Sequence, residues 1–226
     1  MKSRLERMAT FANYLPLSLR ARSDESRVNA DWGGHIGVTL NAIADALTTI
    51  TPEQWAAPSL CAGWRVQDVV GHLVWRTGSS NREMLTSIGR AYVGHHVNPN
   101  KAIDDVSRQA AKAEPAELIA RLRQIAADKT VGKGRTGISE LTEAVVHGID
   151  LAEPLGIELP VAPAASGAVA LRRSLIAPTE IKAVLRTRVL VATDAEWRVG
   201  AGTPLERTAQ EHLVFLFGRE KGPLSS

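Results

Sequence analysis

Four separate stretches of this 226-residue chain repeat apolar residues at intervals of three and four, the period of a helix with one buried face. In the first, Ile36, Leu40, Ile43, Leu47 and Ile50 share a side, while Asp45, Thr48 and Thr49 fall opposite. The second runs from about Val66 to Thr77, with Val66, Val69, Val70 and Leu73 as its stripe. The third covers about 104–127, is interrupted at Pro115, and turns Leu118, Leu122 and Ile125 inward. The fourth runs from about Ile138 to Leu155, with Ile138, Leu141, Val145, Ile149 and Ala152 on one face and Gly156 placed to cap it. Between them lie a Pro- and Gly-bearing connection (51–64), a polar stretch (78–103) without a clean period that could be helical in part, and the loop VGKGRTG (131–137). Four such helices predict a bundle.

The pattern changes at GIELPVAPAASG (156–167), a Pro-, Ala- and Gly-rich segment that reads as a linker. A short helix (168–176) is expected next. Two strand-like runs follow, RTRVLVAT (186–193) and EWRVG (196–200), joined through Asp194-Ala195 as a hairpin. A last helix (205–217) carries Ala209, Leu213, Leu216 and Phe217 and ends at Gly218. The fold class is therefore α+β: an N-terminal four-helix bundle over 31–157 and a small α/β domain over 158–226, preceded by a flexible basic extension, 1–30.

Residues 1–30 hold six Lys and Arg against three Asp and Glu, which accounts for the whole net charge of +3; the rest of the chain is balanced. A nucleic-acid binder concentrates its basic residues on the folded domain, so no nucleic-acid partner is expected. No run approaches the ~18 apolar residues that span a bilayer, so no membrane partner is expected either. The single cysteine, Cys61, cannot form an internal disulfide, and the N-terminus lacks the apolar core of a signal peptide. These features read as a cytoplasmic protein, a monomer or a homodimer.

Candidate chemistry is concentrated on two helices. Glu143 and His147 in EAVVHGID are four residues apart and share a face, within reach of one ion. His72 on the second helix would supply a third ligand from across the bundle, as metal sites in bundles are commonly built. Three N and O ligands leave coordination positions open, as in catalytic sites. The period taken alone favours a plainer reading. Glu140, Glu143, His147 and Asp150 form a stripe opposite Ile138, Leu141, Val145 and Ile149, as a solvated polar face would.

The segment Trp55 to Trp75 carries a tryptophan, the turn Pro58-Ser59-Leu60-Cys61-Ala62-Gly63-Trp64, and the helix segment Asp68-Val69-Val70-Gly71-His72-Leu73. In this order they resemble the N-terminal domain of the mycothiol-dependent maleylpyruvate isomerase family, among the DinB-like metal-binding four-helix bundles. EAVVHGIDLAEPLGI (143–157) is similar to the family's second signature, and LVATDAEWRVGAG with the helix before Gly218-Arg219 is similar to its small α/β domain. The resemblance covers about 35–220 and leaves the N-terminal extension outside the pattern. It implies His72, Glu143 and His147 as ligands of a divalent metal. Zinc suits two imidazoles and a carboxylate with open positions, other first-row metals being compatible.

The resemblance further implies mycothiol as thiol cosubstrate. A metal deprotonates a bound thiol that is otherwise only a few per cent thiolate at neutral pH. The thiolate would add to the cis double bond of an oxo-dicarboxylate such as maleylpyruvate, and elimination after rotation would return the trans isomer. With a small-molecule electrophile the outcome would be S-transfer. Arg76 and Arg82 are candidates for gripping the carboxylates, and both also read as surface charges. Asp68, four residues before His72, could orient its imidazole or serve the first helical turn. Asp150 could stand behind the site or cap a loop. Cys61 has no basic partner visible in the sequence and is expected to stay out of the chemistry. His35, His95, His96 and His212 lack a spacing that joins them to the site, and Trp55, Trp64 and Trp75 are expected to pack the bundle. A metal-dependent hydrolase on the same bundle and a non-catalytic ligand- or partner-binding bundle are the alternatives.

Overall fold

The apolar stripes fold as expected and set the architecture. A computed structural model describes residues 32–95 and 98–219, so the extension 1–30 lies outside the described residues. The helices are α1 (Gly33–Leu47), α2 (Pro52–Ala56), α3 (Val66–Gly78), α4 (Asn81–His95), α5 (Pro99–Ala110), α6 (Pro115–Thr130) and α7 (Ile138–Ala152). Helices α1 and α3 each pack on both α6 and α7, which closes a four-helix bundle. Leu40 and Ile43 of α1, Leu73 of α3, Leu118 and Leu122 of α6 and Leu141 of α7 are fully buried in it. Each such burial contributes about 1.5–3 kcal/mol.

The polar stretch 78–103, expected to be helical in part, is largely helical. Ser80 and Glu83 form a reciprocal cap at the start of α4: the Glu83 carboxylate accepts from Ser80 N–H at 2.7 Å, and Ser80 Oγ accepts from Glu83 N–H at 3.2 Å. Helix α5 packs outside the bundle on α3 and α4. The approach of α3 is tight, since a Cβ at Gly71 would lie 2.5 Å from the backbone nitrogen of Ala111. A glycine there lets the chain at the end of α5 touch α3 backbone to backbone.

A 3₁₀ turn (Glu153–Leu155) follows α7 and ends at Gly156 with φ +65°, the left-handed cap its sequence announced. The C-terminal part comprises α8 (Pro163–Ile176), α9 (Thr179–Leu185), β1 (Arg188–Ala192), β2 (Arg198–Gly200), β3 (Thr203–Arg207) and α10 (Ala209–Leu216). The sheet order is β2-β1-β3, with β1 antiparallel to β2 and parallel to β3. Two expectations are corrected here. Residues 203–207 pair as a strand, so the last helix begins only at Ala209, where Thr208 and Glu211 form a capping box. Helix α9 was not expected at all. Helices α8 and α10 pack on each other and on α7, so one continuous apolar core runs from Ile36 to Leu216.

Candidate metal centre

Asp68 stands in the first turn of α3, and its carboxylate accepts from the Arg65 backbone N–H at 3.0 Å and from the Arg65 guanidinium at 3.2 and 3.1 Å. Arg108 of α5 adds a contact at 3.4 Å. Asp68 is thus a buried helix cap and does not orient His72. That task falls to Ser107 of α5, whose Oγ lies 3.0 Å from His72 Nδ1. The Ser107 hydroxyl donates its own proton to the Ile103 carbonyl at 2.6 Å. It therefore accepts from His72, which assigns the imidazole proton to Nδ1 and leaves the Nε2 lone pair free.

The same assignment follows on α7. His147 Nδ1 donates to Asp150 Oδ2 at 2.9 Å, and Asp150 also accepts two bonds from Arg219, each 2.7 Å. His147 Nε2 and His72 Nε2 each lie 3.3 Å from the same atom, Glu143 Oε2. The two imidazoles meet edge to face with centroids 4.7 Å apart. One atom from each of His72, Glu143 and His147 fits within 4.8 Å of the others. Once His147 gives up its Nε2 proton, two lone pairs and a carboxylate oxygen face one another, an arrangement that a positive centre between them satisfies. The donor set therefore fits a divalent cation, with the paired Nδ1–H groups supplying the outer contacts usual for metal-bound histidines.

The electrostatics agree. Burial would raise the Glu143 carboxyl, but hydrogen bonds to His147 and His72 outweigh it and hold the group far below the ordinary range. Burial pushes the His72 imidazole down, against the pull of Glu143, and so keeps it neutral and ready to ligate. Burial opposes protonation of His147 too, yet its bonds to Asp150, Cys61 and Glu143 raise it well above the usual value. Asp150 is lowered to about 2, its burial being overcome by His147 and Arg219.

These shifts predict how metal-free and metal-loaded protein diverge with pH. The raised His147 stabilises the metal-free fold below its unfolded value of about 6.5 and loses that contribution as pH rises through its folded value. A metal competes with the same proton, so its affinity climbs over that range. The gap in melting temperature between loaded and metal-free protein is expected to widen from about pH 6 to about pH 8 in calorimetric scans.

Of the remaining expected site residues, Arg76 is drawn to the centre. Its Nε lies 3.3 Å from Glu143 Oε1 and its Nη1 3.1 Å from Glu140 Oε1. Arg82 is not; it stands exposed on α4 among Ser79, Ser80, Glu83 and Arg90. The polar face expected on α7 is no solvated face: Glu140 and Asp150 are buried, because α3, Arg135 and Arg219 cover the stripe. Trp64 and Trp75 pack against His72 with centroids 5.2 and 5.7 Å away, and Trp55 is buried in the core. Cys61 does have partners, invisible in sequence: its thiol donates to Asp150 Oδ2 at 3.1 Å and lies 3.6 Å from both His147 Nδ1 and Arg219 Nη2. His212 is buried against the Val191 carbonyl and His35 lies beside Trp32 with the rings tilted at 43°, both apart from the cluster. His95 ends α4, but its side chain, like all of His96, lies outside the described residues.

Helix order and sheet together define a DinB-like four-helix bundle with a small α/β domain appended. Residues 39–131 match the family model of the mycothiol maleylpyruvate isomerase N-terminal domain, a span that includes His72. The fold is shared with a crystal structure of a mutant of mycothiol-dependent maleylpyruvate isomerase, at 13% identity and a TM-score of 0.50, covering 83% of this chain and 88% of that one. Two uncharacterized proteins of Mycobacterium tuberculosis, from strains CDC 1551 / Oshkosh and ATCC 25618 / H37Rv, are each 28% identical over 51% of this chain and 53% of their own length. The chain thus spans about half the length of these curated relatives. No described helix is long and apolar enough to cross a membrane.

Proposed function

We propose that this protein is a metal-dependent, mycothiol-using enzyme of the maleylpyruvate isomerase type, performing cis–trans isomerisation or S-transfer through an activated thiolate. The observation that carries this reading is the convergence of His72 Nε2, His147 Nε2 and Glu143 Oε2, each histidine already tied down at Nδ1. A divalent cation held there, zinc being the ion this donor set suits, supplies deprotonation of an incoming thiol. The chain's residues do the rest. Ser107 and Asp150 keep both imidazoles in the tautomer that presents Nε2. Trp64 and Trp75 wall His72 on the protein side. Glu143, whose side chain is 26% exposed against 7% for His72 and 16% for His147, is the most accessible of the three. Arg76 lies beside the centre, with its guanidinium paired to Glu140 and Glu143, and a sulfur that adds to a conjugated cis alkene allows rotation before it leaves.

The test is elemental analysis of the purified protein joined to turnover of maleylpyruvate and of a simple electrophile, with and without mycothiol. One divalent ion per chain and thiol-dependent turnover are expected. Turnover without thiol would point to a metal-dependent hydrolase. A protein that binds no ion and retains its function after His147→Ala would point to a non-catalytic binding bundle.

A further inference from the structure

The loop 131–137 buries more charge than a simple connection needs. Lys129, in the last turn of α6, is 3% exposed and has no carboxylate within ion-pair distance among the described residues. Its Nζ donates to the Arg135 carbonyl at 2.8 Å. Burying an ammonium this way is costly, and a methionine of similar shape would pack at least as well. Arg135, itself 16% exposed, turns its guanidinium inward. There it donates to the Arg76 carbonyl and lies 3.5 Å from Glu140 Oε1. The same Glu140 oxygen pairs with Arg76 Nη1 at 3.1 Å, and Arg76 Nε reaches Glu143 Oε1 at 3.3 Å.

We propose that Lys129, Arg135 and Glu140 form a buried brace that sets Arg76 against Oε1 of Glu143, so that only Oε2 faces the two imidazoles. This inference rests on the metal-centre reading above. A free glutamate can grip an ion with one oxygen or two. With Oε1 held by Arg76 it offers one, and the coordination positions that an incoming thiol needs stay open. Lys129, Arg135 and Glu140 touch neither ligand nor substrate, so they are positioning residues. Lys129 fixes the main chain of the loop, Arg135 and Glu140 fix both ends of Arg76, and Arg76 fixes the carboxylate.

Cobalt(II) tests this, because its visible bands weaken as coordination number rises. Wild type is expected to take one cobalt per chain with the intense bands of a low coordination number. Arg135→Gln and Lys129→Met are expected to bind cobalt about 10- to 100-fold more weakly, by competition with a chromophoric chelator, and to show weaker, shifted bands as the second Glu143 oxygen joins. Lys133→Ala loosens the same loop from outside, where Lys133 is 70% exposed and pairs with Asp128, and should leave bands and affinity unchanged. Should Arg135→Gln fail to fold, Arg135→Lys carries the test. It keeps the charge and the carbonyl that Lys129 holds, but a lysine cannot span the Arg76 carbonyl and Glu140 at once. Wild-type bands and affinity in the folded brace variants overturn the brace. So does a Lys133→Ala protein that shifts as far as they do. A wild type that binds no cobalt overturns the metal-centre reading, and the brace with it, before any variant is made.

Discussion

Replacing His147 by alanine is expected to strip the divalent ion from the purified protein while its helical circular dichroism persists. The loss in affinity should exceed the ~10- to 100-fold typical of removing an outer contact, because a direct ligand goes and two remain. The fold survives because the neighbours stay paired: Asp150 keeps Arg219 at 2.7 Å and Glu143 keeps Arg76 at 3.3 Å. His72→Ala should lose the ion equally but also cost stability. His72 is 6% exposed, and its removal opens a gap between Trp64 and Trp75 and takes the proton donor from Ser107. Isothermal titration with zinc, paired with urea unfolding of the metal-free proteins, separates the two effects. Zinc affinity within twofold of wild type in either variant would remove that residue from the centre.

Asp150→Ala should produce the largest loss of stability in the site. The Asp150 side chain is 1% exposed and accepts from Arg219, His147 and Cys61 together. Its removal leaves a partly buried guanidinium unpaired, which typically costs 3–5 kcal/mol; the 26% exposure of Arg219 places this case near the lower end, at about 3 kcal/mol. Metal affinity should fall about 10- to 100-fold as His147 loses its anchor. The double variant Asp150→Ala/Arg219→Met should regain most of the stability and none of the affinity. Urea midpoints and zinc titrations of the three proteins measure both. Recovery of metal binding in the double variant would show that Asp150 serves the charge of Arg219 and not the imidazole.

The bundle was legible because burial writes itself into a period. Leu40, Ile43, Leu73, Leu118, Leu122 and Leu141 stand at helical spacing, and all are fully buried. The pair Glu143 and His147 was legible because one helix carries both. What the period misread was the far side of α7. A polar stripe opposite an apolar one looks solvated unless the reader knows which distant groups cover it. Arg219, 69 residues beyond Asp150, gives no local sign of its destination. Nor does Ser107, 35 residues from His72, and so the sequence left Asp68 open between orienting His72 and serving the first turn, where its bonds to Arg65 place it. Strand β3 was missed because TPLER is mostly exposed and lacks alternation, and its pairing with β1 comes from tertiary contact.

The keeper of Asp150 lies far downstream of the helix it secures, which gives the centre an order of assembly. At about 5–20 residues per second, a ribosome adds Asp150 roughly 3–14 s before it adds Arg219. During that interval a nascent chain can close its four helices while His147 still lacks a fixed orientation. On the metal-centre reading, a chain that stops short of Arg219 is expected to hold a divalent ion more loosely than the full chain, because Asp150 then lacks its partner.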